Sequence, residues 1–368
     1  MLNIDLATEM FSLKRENNPK RRDATTFSCL GKLAGAGADV FERWTSGFES
    51  IIRNSMEKAP VAGQILIAGL AESGIIPSGL CHKIVREQGI DADWICSTRR
   101  TSSGIRFTES HSHAPDHILP LPGHHPDELW FVEDEMTTGR TVLRLALCLS
   151  RFMKISRIRF FAIADIRSQW NTRQFEAILE NCGIEYLVES IIREQPLNGK
   201  PPENEAASGI RIEHDESLEI KENFENCADN MDNRDITGWL LPEYRPAIGS
   251  LSDVSLNFQG TARGSLLVIG EAVDLAFQMT IQNPELDFHH VTLSPWEIDG
   301  KHITSRMDIC CQTGHGDKYY LYNYESVKTP IYILNDPVDT KIAIELENCL
   351  LKKGIETMPL TSIIRIDT

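Results

Sequence analysis

The feature that most constrains this chain is a series of short apolar runs that do not alternate with polar residues and are separated by helical stretches. Ile65-Leu66-Ile67 ends in Gly69 and is followed by a helical pattern through Val85. Trp94-Ile95-Cys96 is a second run; Leu129-Trp130-Phe131-Val132 is a third, with a predicted helix over 141–152 after it. Runs at 158–164 and 186–192 flank a predicted helix over 172–181. Strands buried on both faces of a parallel sheet read this way, because neither face needs polar side chains. An α/β domain is therefore predicted to residue 195. The pattern restarts at Ser265-Leu266-Leu267-Val268-Ile269-Gly270. It continues with Ile331-Tyr332-Ile333-Leu334 and a helix over 340–352, which predicts a second, smaller α/β domain. A further helix is predicted over 39–57, and no internal repeat of fixed period is legible.

The length of 368 residues suits two domains of roughly 150 residues each. The formal net charge is −16, and half of it lies in residues 201–233, where ten acids face two bases. That stretch has few large apolar residues and reads as a linker or excursion. The expected organisation is a first domain over 1–195, an acidic linker over 196–250 and a second domain over 251–368. The acidic balance argues against nucleic acid or an anionic membrane as partner, since phosphate surfaces need concentrated positive charge. No uncharged apolar run approaches the ~18 residues of a membrane span. Asp5 and Glu9 interrupt any signal-peptide core, and nine cysteines without a Cys-x-x-Cys pair read as reduced thiols. A soluble cytoplasmic protein is expected.

The segment richest in chemistry is Leu129-Trp130-Phe131-Val132-Glu133-Asp134-Glu135-Met136-Thr137-Thr138-Gly139-Arg140-Thr141. It sets an acidic pair at the end of a buried strand, then a Thr/Gly loop, then a helix start. At the carboxyl edge of a parallel sheet this geometry is a ligand site. Backbone amides of the loop and the helix N-terminus can cradle a phosphate, with Gly139 allowing close backbone approach. Glu133 and Asp134 stand where they can accept hydrogen bonds from vicinal hydroxyls. Together these describe a reader of ribose 5-phosphate; a strand-to-helix turn capped by threonines is the plainer alternative.

This segment resembles the phosphoribosyl-pyrophosphate (PRPP) signature of type I phosphoribosyltransferases, although Glu135 departs from the apolar residue most members carry. The resemblance implies a parallel-sheet core flanked by helices, with a hood. In it Glu133 and Asp134 are catalytic, and Thr137, Thr138, Gly139, Arg140 and Thr141 hold the 5′-phosphate. It places pyrophosphate at Ala71, Glu72, Ser73 and Gly74 and at Arg99 and Arg100. Mg²⁺ is implied mainly through PRPP, with Asp134 as a protein ligand. A Gly/Ser turn and a solvated strand edge are the ordinary explanations for the last two stretches. Asp165 and Arg167, at the end of the fourth strand, stand where the acceptor is contacted, and are otherwise a surface ion pair.

Further stretches are similar to one branch, the phosphoribosyltransferase family followed by a TRSP domain and found in tellurite-resistance-type stress operons. They are Arg15 with Asn18-Pro19-Lys20-Arg21, Phe27 to Lys32, and Phe107 to His117. The second domain matches at Val268-Ile269-Gly270-Glu271, at Thr292-Leu293-Ser294-Pro295-Trp296 and at Tyr320-Leu321-Tyr322-Asn323. Leu293 stands where the family name implies Arg, so no anion-binding role is carried to it. Lys20, Arg21, Lys32, His111, His113 and His117 are hood or acceptor candidates. Five of the eleven histidines lie between His111 and His125. They fit a closing hood loop, a metal site or a plain solvated loop, and Pro115 breaks any helix among them.

The resemblance implies a PRPP-dependent phosphoribosyltransferase that acts on a base-like small molecule and serves nucleotide metabolism or a stress response. Partners would be PRPP, the acceptor, a second copy of the chain and enzymes of the same operon. The alternatives are a PRPP- or nucleotide-binding sensor without turnover, and phosphoribolysis in the reverse direction.

Overall fold

The computed structural model describes residues 6–16, 22–98, 104–108, 116–121, 125–155, 157–193, 218–220, 257–258, 262–310, 318–336, 339–362 and 364–365. Lys20, Arg21, Arg99, Arg100, His111 and His113 lie outside them, as does most of the acidic stretch. In chain order the first elements are β1 (Met10–Lys14), β2 (Asp23–Phe27), β3 (Ala36–Gly37), α1 (Ala38–Lys58), β4 (Ile65–Gly69), α2 (Ile75–Glu87) and β5 (Ala92–Cys96). Next come β6 (Ile105–Thr108), β7 (Asp116–Leu119), β8 (Glu128–Met136), α3 (Arg140–Met153), β9 (Arg157–Asp165), α4 (Gln169–Asn181) and β10 (Glu185–Arg193). After them stand β11 (Leu218–Ile220), β12 (Asn257–Phe258), β13 (Gly264–Ile269), α5 (Val273–Gln282) and β14 (Leu286–Val291). The chain closes with β15 (Arg306–Cys310), β16 (Lys318–Tyr322), β17 (Ile331–Leu334), α6 (Thr340–Leu351), β18 (Thr357–Met358) and β19 (Ile364–Arg365).

Two compact units result, one containing Thr45–Met231 and the other Met1–Trp44 with Leu251–Thr368. The first unit is built on a five-stranded sheet of order β10-β9-β8-β4-β5, parallel at every step. All five residues of β4 are buried, as a strand covered on both faces requires. Leu66, Ala68, Leu129, Phe131, Phe160 and Ala162 form a core with the apolar side of α3. A small antiparallel sheet, β11-β6-β7, completes the unit.

The second unit carries a sheet of order β18-β17-β13-β14-β3. Its strands are parallel except β3, which adds antiparallel to β14. The expected first domain ran from residue 1, yet the first 44 residues cluster with this unit. The cause is visible in their contacts. Arg15 bridges Trp296, Phe41 stacks on Phe288 and meets Phe277 edge-on, and Leu13, Ala24 and Leu33 pack with Trp296, Tyr320 and Tyr322. No helix among the described residues is long and apolar enough to cross a membrane.

At the amino edge of the first sheet, Glu128 is fully buried and gathers donors from four residues. Arg159 Nε and Trp130 Nε1 donate to Oε2 at 2.9 and 3.1 Å, Arg157 Nη1 to Oε1 at 2.9 Å and the Ala62 amide at 3.1 Å. Arg159, itself fully buried, also donates to the carbonyls of Ser55 and Ala59 at the end of α1. It thereby satisfies carbonyls that a helix C-terminus leaves open. Burial alone would raise the Glu128 pKa, but the hydrogen bonds from Arg159, Trp130 and Arg157 outweigh it and hold the carboxyl below its ordinary value.

A depressed carboxylate stabilises the fold above its unfolded pKa of roughly 4.3, and the contribution is lost as pH falls through the folded value. Glu128→Gln is expected to cost about 3–5 kcal/mol, the penalty for leaving a buried cation uncompensated. It is also expected to flatten the acid limb of stability against pH. Urea unfolding between pH 3 and 7 checks both, and wild-type behaviour in the variant would rule out the pairing.

Candidate active site

The site is assembled at the carboxyl edge of the parallel sheet of the first unit. There β4 pairs with β8 so that Gly69 faces Val132, which sets Leu70 and the loop after it beside Glu133 and Asp134. The strand runs further than its apolar run suggests: Glu133, Glu135 and Met136 keep their ladder to Ala162, Ala164 and Asp165 of β9. The acids are thus held by sheet backbone rather than by a loop, and all three are half-buried.

After Met136 the chain turns through Thr137, Thr138 and Gly139 into α3. Gly139 has φ +72°, in the left-handed region, and a Cβ there would stand 2.9 Å from the Phe175 ring. Both facts require glycine. Thr138 Oγ1 accepts from the Arg140 amide at 3.3 Å. Arg140 Nη2 is buried without a hydrogen-bond partner. Thr138 and Arg140 line a small cleft with Trp170, Asn171, Gln174 and Phe175 of α4.

The β4–α2 connection is the second part. Its Ala71–Glu72 peptide is cis, and the Gly74 amide closes the turn on the Leu70 carbonyl at 2.8 Å. Added Cβ atoms on Gly69 or Gly74 would collide with Ser78 Oγ or with the Leu70 backbone, at 2.1 and 2.6 Å. Ala71, Glu72 and Gly74 are buried and Ser73 is half-buried. The Ala71 amide donates to Ser97 Oγ at 2.8 Å, and Ser97 Oγ lies 3.2 Å from His117 Nδ1. His117, a hood and acceptor candidate from the sequence, is fully buried on β7 and stacks on Phe107. It supports the Leu70–Gly74 connection through Ser97 instead of facing an open loop. Just beyond, Thr98 exchanges two backbone hydrogen bonds with Ile118, both 2.7 Å.

Asp165 and Arg167 meet in a two-pronged ion pair. Arg167 Nε and Nη2 each donate to Asp165 at 2.8 Å, and the guanidinium lies over Phe175 at 4.5 Å. The pair is buried, so it is not the surface ion pair that was the plainer alternative. With Gln169, Thr172, Arg173, Glu176 and Arg193 it lines a cavity of about 210 Å³. These five lining residues were not anticipated; apart from Ser168 capping α4 through the Asn171 amide, nothing in their order marks them. Lys32 lies in the other unit, nearly buried, with its Nζ 5.9 Å over the Trp296 ring. Among the described residues no three or more His, Cys, Asp or Glu are grouped to hold a metal ion.

Ser97→Ala would leave the buried Ala71 amide without its acceptor, an expected loss of about 1–3 kcal/mol. Gly139→Ala is expected to cost a similar ~1–3 kcal/mol through strained φ and the Phe175 contact. Denaturant titration of each variant measures this, and stabilities equal to wild type would show that neither position is constrained.

Among solved structures, the chain is similar to adenine phosphoribosyltransferase from Giardia lamblia, with 14% identity, a TM-score of 0.36, and coverage of 52% of this chain and 97% of that one. The adenine phosphoribosyl transferase of Trypanosoma brucei matches at 8% identity and TM-score 0.36, over 54% of this chain and 86% of that one. The enzyme of Leishmania tarentolae matches at 13% identity and TM-score 0.36, over 51% and 85%. No curated protein matches the chain. The family model described as phosphoribosyl transferase matches residues 10–195, half of the chain, and takes in every element of the edge described above. The chain belongs to the phosphoribosyl transferase family.

Proposed function

We propose that the chain transfers a 5-phosphoribosyl group from PRPP to a base-like acceptor with release of pyrophosphate, in the synthesis of a nucleotide- or nucleoside-like metabolite. The observation that carries this reading is one sheet edge. The Glu133–Asp134 pair runs directly into the Thr137–Gly139 turn and the α3 N-terminus, beside the glycine-bounded Leu70–Gly74 connection.

In the reaction the bond from C1′ to the pyrophosphate oxygen breaks, and its electron pair leaves with pyrophosphate. The lone pair of an acceptor nitrogen forms the new bond to C1′, and that nitrogen loses its proton. The sugar passes through an oxocarbenium-like state, so the protein's task is to position the partners and to stabilise charge. Glu133 and Asp134 would accept hydrogen bonds from the ribose hydroxyls, with their negative charge close to the developing cation. The amides of Thr138, Gly139 and Arg140 and the threonine hydroxyls would hold the 5′-phosphate. Ala71 to Gly74, with Arg99 and Arg100, would take the pyrophosphate. The Asp165–Arg167 end of β9 would form the acceptor wall.

The carboxylate oxygens at the β8 end suit Mg²⁺, which binds through one or two carboxylates plus substrate phosphates and needs no all-protein cage. Asp134 would hold it together with PRPP oxygens, and the ion would neutralise charge on the leaving pyrophosphate.

The test is pyrophosphate release by the full chain from PRPP and Mg²⁺ with a panel of purine and pyrimidine bases. Glu133→Gln with Asp134→Asn is expected to reduce turnover at least ~100-fold, in line with the loss of preorganised electrostatic groups, with an unchanged circular dichroism spectrum. Unchanged turnover would overturn the assignment, and PRPP binding without release across the panel would make the chain a sensor.

A further inference from the structure

The two compact units, each taken by itself, repeat one topology. In the first, β4-α2-β5 is followed by the antiparallel hairpin β6–β7 and then by β8-α3-β9, in sheet order β9-β8-β4-β5. In the second, β13-α5-β14 is followed by the antiparallel hairpin β15–β16 and then by β17-α6-β18, in sheet order β18-β17-β13-β14.

The repeat holds at the level of single residues. Gly69 faces Val132 on one side and Cys96 on the other; Val268 likewise faces Leu334 and His290. Two residues after Cys96, Thr98 forms an isolated bridge to Ile118, and two residues after His290, Thr292 forms one to Tyr320. Within the hairpins Ile118 pairs with Arg106, and Tyr320 with Asp308. Arg106 and Asp308, Ile118 and Tyr320, and Val132 and Leu334 are each 202 positions apart. One constant offset therefore relates the hairpin, the connection after it and the third strand, with no insertion.

Carrying that offset onward places Asn335 and Asp336 at the positions of Glu133 and Asp134, and Asp339, Thr340 and Lys341 at those of Thr137, Thr138 and Gly139. The ladder of the first strand places Glu271 at the position of Glu72. The ribose-facing pair is thus retained as an amide and a carboxylate, but the phosphate turn is not. Its glycine is gone, an acid replaces the first threonine, and helix α6 already begins at Thr340, where the first unit still has its turn at Thr138. The Asp339 amide is used inside the turn, donating to the Asp336 carbonyl at 2.9 Å. A phosphate carrying about −2 would meet the carboxylates of Asp336 and Asp339, whereas hydroxyl groups are donors that suit those acceptors.

We propose that the C-terminal unit is a second copy of the phosphoribosyltransferase fold whose strand edge, at the ends of β13 and β17, binds the ribose diol of an unphosphorylated nucleoside. The ligand class rests on the reading of Glu133 and Asp134 as the ribose-holding pair; the fold repeat does not. The chain then carries one PRPP site and one nucleoside site, the first served by Glu133 and Asp134 and the second by Asn335 and Asp336.

Isothermal titration of the full chain tests this with two probes, PRPP with Mg²⁺ and a set of four ribonucleosides (adenosine, guanosine, cytidine and uridine). One PRPP is expected per chain, lost in the Glu133→Gln/Asp134→Asn variant and retained in Asp336→Asn. At least one ribonucleoside is expected to bind that Glu133/Asp134 variant as it binds wild type, and at least tenfold more weakly to Asp336→Asn. Because Asp336 is buried, the 2′-deoxynucleoside on wild-type protein supplies a control that needs no substitution, and it is expected to bind at least tenfold more weakly. Two PRPP per chain, no ribonucleoside binding, or equal affinity for the 2′-deoxy compound would each overturn the proposal. Loss of the proposed transfer reaction with nucleoside binding intact would instead count against the first site alone.

Discussion

The arrangement depends on the parallel pairing of β4 with β8. Two parallel strands cannot be joined by a tight turn, so each leaves its carboxyl end with a loop into a covering helix, and both loops emerge at the same edge. Because Gly69 faces Val132, the first loop opens beside Glu133 and Asp134. A slip of one residue would turn the alternating side chains of β8 over and send the acids to the wrong faces. The register is held by burial: Ile65 to Ala68 and Leu129 to Val132 have next to no exposure.

The two ends of that sheet divide the physical work. At the amino edge, the buried carboxylate of Glu128 has its donors at hydrogen-bond distance and ties β9 to the end of α1 through Arg159. At the carboxyl edge the acids are only half-buried, and the turn after them is shaped by a glycine in the left-handed region. One edge is knitted together by hydrogen bonds around Glu128, and the other leaves its acids half-buried where the proposed function sets its ligand. The buried Asp165–Arg167 pair marks the limit of the second region. Its charges are mostly spent on each other, while Arg167 Nη1 remains buried without a hydrogen-bond partner on the wall of a cavity.

Much of this was legible in the chain itself. The apolar runs at 65–67, 94–96, 129–132, 158–164 and 186–192 lie within the five strands of the parallel sheet; burial on both faces explains the composition of β4, β8 and β9, while the edge strand β10 is mostly half-buried. The apolar run predicts that β8 ends at its acids, and the ladder to β9 carries them inside it, which no local propensity reports. His117 sits among polar neighbours in sequence; its burial depends on Phe107 and Ser97, ten and twenty positions earlier, which the β6–β7 pairing and the Thr98–Ile118 bridge bring beside it. The allegiance of residues 10–44 was hidden for the same reason. Short strands such as Ala36–Gly37 acquire meaning only from the edge they join.

The internal repeat shows most clearly what a sequence can hide. At the offset of 202 the matched pairs are Phe131 with Ile333, Val132 with Leu334, Asp134 with Asp336 and Thr138 with Thr340. The last two are identical and the first two are not, since a buried strand position asks only for apolar volume. What survives is what the backbone demands: the bridge from Thr98 to Ile118 recurs as the bridge from Thr292 to Tyr320, because a parallel strand that ends beside a hairpin must pair its last amide and carbonyl with something. The features free to change are the ones that choose a ligand. A glycine with φ +72° at position 139 becomes Lys341, and a hydroxyl at position 137 becomes the carboxylate of Asp339. Both differences fall in one turn and leave the strand pairing alike, so one frame can carry different groups at its edge.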